Sequence, residues 1–148
     1  MIDISVLRKA MDEIAARKGD FTLFALFRRA DALGMWDLVV SAPWLERGKL
    51  KALGELVELL AQSIGKESIM SQFSRVETVP RSNPTVKYIL ENIPVDDGER
   101  HLQSTDLFGL QIREAIILRS RRPSANKPAR RALQPAGAGS SRRQGERG

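Results

Sequence analysis

The chain of 148 residues contains no cysteine. That excludes disulfides, thiolate zinc sites and cysteine nucleophiles, and it agrees with a reducing compartment. There is one histidine, His101, so a multi-histidine metal centre is excluded as well. No run approaches eighteen continuous apolar residues, so no membrane contact is expected. Met1 to Ser5 lacks the basic region and long apolar run of a secretory signal, and a cytoplasmic location is the expectation.

Motif chemistry is equally sparse. Gly48-Lys49 and Gly65-Lys66 lack the upstream glycine of a phosphate loop, having Pro43 and Leu60 there. There is no Gly-x-Ser-x-Gly elbow and no His-Glu-x-x-His. Asn83 precedes Pro84, which blocks glycosylation. No cofactor is expected.

What is present is a division of charge. The whole chain carries +6. Arg119 to Gly148 holds nine basic residues and one acidic one, a net +8, while the first 118 residues hold fifteen basic and seventeen acidic, a net −2. The later segment is rich in Pro, Gly, Ala, Ser and Arg, and Leu133 is its one large apolar side chain after Ser120. It cannot bury enough surface to offset the entropy of ordering. The expected organisation is therefore a globular domain over 1–118 and a disordered basic tail over 119–148.

Apolar residues make up 42% of the chain, enough for one core. Val6, Leu7, Ala10, Met11 and Ile14 recur at helical spacing, with Asp3 or Ser5 as cap and Gly19 as stop. Residues 21–31 fit both a strand (Phe21, Leu23, Ala25, Phe27) and a helix capped by Asp20. The strand is the better account, because 36–42 is β-rich and a short Gly34-containing link joins the two. Leu45 to Ile64 is the clearest helix, with Leu50, Leu53, Val57, Leu60 and Ile64 on its stripe. A short helix over 67–73 and a strand over 75–79 come next. Ser82-Asn83-Pro84 starts another helix, buried through Val86, Ile89 and Leu90. His101 to Gln103 is extended. Ile112 to Leu118 is the last strand, with Ile112, Ile116 and Leu118 on one face and Ala115 and Ile117 on the other. This order predicts an α+β fold: a small antiparallel or mixed sheet with helices packed on one face.

Three sets of residues are candidates for function. The tail cations Arg119, Arg121, Arg122, Lys127, Arg130, Arg131, Arg142, Arg143 and Arg147 can bind nucleic acid through its phosphates. No aromatic lies among them, so binding would be largely independent of sequence. An inert solvated extension, or a composition set by GC-rich coding, explains the same residues. Asp31, Asp37 and Glu46 could gather around a hard cation for phosphoryl transfer, although Glu46-Arg47-Gly48-Lys49 misses the Glu-x-Lys spacing. Solvated turn and cap carboxylates are the simpler account. His101 as an acid–base group needs a partner that spacing does not supply, and an edge-strand position suits it better. Trp36 and Trp44 are candidate partner-binding anchors, since tryptophan is enriched in hot spots, but Trp44 beside Pro43 also suits packing against the long helix. The leading expectation is a non-enzymatic binding or regulatory protein. Its folded domain would contact a protein partner or a second copy, and the tail would add weak affinity for nucleic acid. The alternative is a metal-dependent enzyme acting on nucleic acid or a nucleotide.

Overall fold

The computed structural model describes residues 3–31 and 34–122. Helix α1 (Ile4–Lys18) is capped by Asp3, whose carboxylate accepts from the backbone N–H groups of Ser5 and Val6. Strands β1 (Leu23–Arg29) and β2 (Trp36–Ser41) form an antiparallel hairpin, so the ambiguous segment is a strand. Next come α2 (Pro43–Ile64), α3 (Lys66–Gln72) and β3 (Phe73–Thr78). Helix α4 (Pro84–Asn92) has Asn83 accepting from the Thr85 N–H at 2.8 Å, and β4 (Arg100–Leu107) and β5 (Leu110–Ser120) close the fold.

The five strands are ordered β3-β2-β1-β5-β4. All neighbours are antiparallel except β2 and β3, which are parallel and joined through α2. A parallel pair needs such a crossover, whereas a hairpin needs only a turn. The fold is α+β with a mixed sheet. Its helices, however, lie on both faces. Helices α1 and α2 cover Phe24, Leu26, Leu38, Val40, Ile116 and Leu118. Helix α4 covers the opposite face through Val86 and Ile89, against Leu23, Ala25, Val39 and Ile117. The central strands are apolar at both parities, and a sheet of that composition needs cover on two sides.

Three local features depart from the spacing rules. Along β5 the pairing with β1 slips between Arg28 and Arg29, so Arg29 faces Ile112 and Arg113 is extra. A bulge reverses the parity of the residues beyond it. Ile112 thus joins Ala115 and Ile117, not Ile116 and Leu118. Strand β4 extends well beyond His101–Gln103: no other described strand pairs with its outer edge and its side chains are mostly exposed, leaving no apolar alternation to read. It joins β5 by a tight turn in which Phe108 (φ 56°) and Gly109 (φ 73°) are both left-handed. Glycine or asparagine normally takes such positions. Here the Phe108 ring lies 5.8 Å from that of Phe27, packing that offsets the strained backbone.

The third departure is in α2. Lys49 has φ 53° and ψ −129°, which breaks the helix after Gly48. The break shifts the phase of the remaining turns. Ala52, Leu56 and Leu60 become the buried line, and Leu50, expected on the stripe, is 82% exposed. Relieving a strained conformation of this kind gains roughly 1–3 kcal/mol, and glycine's extra freedom in the unfolded chain takes back about 0.5–1. Lys49→Gly is therefore expected to stabilise the protein by about 1 kcal/mol, seen as a higher urea midpoint at unchanged m-value.

Candidate functional site

Around the break in α2, Trp44 and Leu45 of its first turn stay in the core while Leu50 turns to solvent. A cleft of about 390 Å³ opens there between α2 and the end of β3, lined by Leu45, Lys49, Leu50, Leu53, Val79 and Pro80. Glu46 holds one rim. Its Oε2 accepts from the backbone N–H of Arg81 at 2.9 Å and from Arg81 Nε at 2.8 Å. Burial acts to raise the Glu46 pKa, but the two bonds and the charge of Arg81 outweigh it and hold the carboxyl below its usual range. The loop after β3 is thereby fastened to the first turn of α2, and the cleft has fixed walls.

Beside the cleft runs the outer edge of β3, with which no other described strand pairs. The Val79 N–H donates to the Val40 carbonyl at 2.9 Å, so position 79 faces β2. Backbone groups alternate along a strand, so Arg75 and Glu77 also bond towards β2 and Val76 and Thr78 turn theirs outward. Met70, on α3 just before this strand, is 71% exposed. The cleft, with Leu50 at its mouth, therefore adjoins the end of β3, and Met70 precedes the same strand by three residues.

The carboxylate trio is not brought together. Asp37 sits at the start of β2, buried, with its Oδ2 2.7 Å from Arg29 Nε and 3.3 Å from Arg75 Nε. Asp31 pairs with Arg29 at 3.2 Å from the exposed turn. Glu46 lies beyond the other end of β2, whose Asp37-to-Ser41 stretch alone spans about 13 Å. No group of three or more His, Cys, Asp or Glu residues among the described residues could hold a metal ion. Asp37 instead neutralises two arginines. His101 is half exposed on the edge strand β4, with Nε2 2.6 Å from Glu99, which also pairs with Arg8.

Both tryptophans are in the core, each 6% exposed, so neither presents a surface for a partner. Trp44 packs edge-on to Phe21 at 6.0 Å, under the Lys18 ammonium. Gly19, at φ 129°, backs directly onto its ring, and a Cβ there would lie 3.2 Å from Trp44 Cδ1. Trp36 carries the Arg28 guanidinium 5.4 Å above its ring.

The first tail cations also belong to the fold. Strand β5 runs two residues past Leu118. Arg119 is buried, reaching Asp12 at 3.2 Å and Asp20 at 3.5 Å. Arg121 bridges Asp20 at 3.0 Å and Asp96 at 2.6 Å, and its backbone N–H donates to Thr22. The Arg121 bonds hold the Asp96 carboxyl below its usual range. These arginines are matched to carboxylates contributed by α1, the α1–β1 link and the α4–β4 loop, which a net-charge count does not reveal. Arg122 is exposed, and Lys127, Arg130, Arg131, Arg142, Arg143 and Arg147 lie outside the described residues.

The residues missed by sequence reading are Leu50, Met70, Arg75 and Glu77. The available signal was Gly48-Lys49 inside an otherwise regular helix, since an internal glycine is a point of weakness. No helix among the described residues is long and apolar enough to cross a membrane. No protein-family model matches the chain, and no curated protein or solved structure does either.

Proposed function

We propose that this chain is a cytoplasmic, non-enzymatic binding protein whose α2–β3 side contacts a protein and whose C-terminal cations add weak, sequence-independent affinity for nucleic acid. The observation that carries the first half is Leu50. It is a large apolar side chain at 82% exposure, held at the mouth of an apolar cleft by a strained residue next to it. Backbone strain is retained where the surrounding structure uses it, and an exposed apolar cleft with fixed walls is a common form of recognition surface. The scattered carboxylates give the metal-dependent alternative no comparable support.

The test is co-purification from the native cell with wild-type and Leu50→Asp baits. Leu50 is solvent-facing, so the substitution should change stability by less than about 0.5 kcal/mol. A protein recovered in stoichiometric amount with the wild type and reduced at least about tenfold with Leu50→Asp supports the reading, since burying a charge in an interface core costs well over 1.4 kcal/mol. Equal recovery with both baits refutes it.

A further inference from the structure

We infer that the α2–β3 side pairs with a second copy of this chain, β3 against β3, in one register fixed by Arg75 and Glu77. This rests on reading that side as a protein contact, and it names the partner.

Strand β3 is the outermost strand of the sheet, and Val76 and Thr78 turn their N–H and C=O groups outward. Two copies related by a two-fold axis normal to the sheet bring these edges together antiparallel. Directly opposite residues must both turn their bonding groups inward or both outward, which removes every register shifted by one. Three symmetric registers remain near the strand centre. Centring on residue 75 sets Arg75 against Arg75 of the second copy. Centring on residue 77 sets Glu77 against Glu77. Centring on Val76 sets each Arg75 against a Glu77, twice. Opposite charges in facing positions stabilise a strand pair and like charges weaken it, so the charges select the third register. Arg75 already reaches its own Glu77 at 3.3 Å, so both heads lie on one face and the four charges would alternate in a square. The irregularity between Phe73 and Arg75 lies outside the central triplet.

The helical layer agrees. Ser68 and Gln72 of α3 line a small cavity with the cap residue Asp3 and with Val6 and Leu7 of α1. Met70 is two residues from each, roughly 200° round the helix, and so projects away from α1, three residues ahead of the start of β3 at Phe73. Leu50 stands at the opposite end of the same edge, beside Thr78 and Pro80. A two-fold axis at Val76 carries the beginning of one β3 to the end of the other, so Met70 of each copy approaches Leu50 of its mate. Both side chains are exposed in the single chain, and such a pair would cover both.

The test is sedimentation of the full chain from about 1 μM to about 1 mM, the span over which modest interfaces saturate. A reversible dimer is expected. Glu77→Arg turns both facing pairs repulsive and should weaken the dimer about 10- to 100-fold. Mixing Glu77→Arg with Arg75→Glu should restore a heterodimer, because each arginine again faces a glutamate. Arg75→Glu also places a second carboxylate near Asp37, so Met70→Glu, at a solvent-facing site, serves as the variant that leaves the monomer intact. It too should weaken the dimer at least about tenfold. Amide hydrogen exchange at Val76 and Thr78 should slow as concentration rises. A wild-type monomer throughout the range, or Glu77→Arg dimerising like the wild type, overturns the inference. If a different protein depends on Leu50 while this chain stays monomeric, the inference falls and the wider reading stands.

Discussion

Replacing Asp37 by alanine is expected to destabilise the protein by about 2–3 kcal/mol, lowering Tm by about 10 °C for a domain of this size. The carboxylate is buried between Arg29 and Arg75, whose side chains are 19% and 45% exposed. Removing one partner of a wholly buried ion pair costs roughly 3–5 kcal/mol, because the other is left charged and dry. Here both arginines keep some access to water, which reduces the penalty. Asp37→Asn retains one acceptor and should cost about half as much. The sign discriminates between the two functional accounts. A carboxylate held for metal chemistry is kept at the expense of stability, and its replacement is commonly neutral or stabilising. Thermal unfolding of the two variants measures this. A Tm at or above the wild-type value would return Asp37 to the catalytic candidates.

The second large effect concerns nucleic acid. Arg119 and Arg121 are held by Asp12, Asp20 and Asp96, which leaves seven cations from Arg122 onward. If about six meet phosphates, log K should fall with log salt at a slope of roughly −4 to −5. Raising salt from about 50 to 200 mM should then weaken binding several-hundred-fold to a thousandfold. Changing Lys127, Arg130, Arg131, Arg142, Arg143 and Arg147 together to glutamine should flatten the slope to about −1 and abolish measurable binding at physiological salt. Arg121→Gln should instead act on stability, since its partners lie within the fold. DNA and RNA of unrelated sequence should bind alike. Titration of both chains across salt decides it, and indistinguishable binding would mean that these cations do not carry the affinity.

Much of the architecture is written in local pattern. The Asp3 and Asn83 caps, Pro84 at a helix start and Gly19 at a helix end act within a few residues, and α1 and α4 are where the sequence places them, while α2 begins at Pro43, two residues ahead of the expected Leu45. What was not legible depends on long-range pairing. Strand β4 is polar because it is an edge, and only β5 beside it makes it a strand. The face of Ile112 depends on a bulge set by its register with β1. Arg119 reads as a tail cation until Asp12 and Asp20 are brought to it from the other end of the chain. The candidate site was hidden for a related reason. Periodicity assigns Leu50 to the core, and only the break at Lys49 turns it outward. The tryptophans mislead in the opposite direction, since their size suits a hot spot but also suits the core, and the core takes both.

The central claim is that the α2–β3 side is a protein contact. It is tested most directly by a photo-crosslinking residue placed at Leu50 in the living cell, with the same residue at Tyr88 as control. Tyr88 is 53% exposed on α4, which lies on the opposite face of the sheet. A protein contact at the α2–β3 side predicts a discrete crosslinked protein adduct from position 50 and none of that mass from position 88. No adduct at position 50, or the same adducts from both positions, would contradict it.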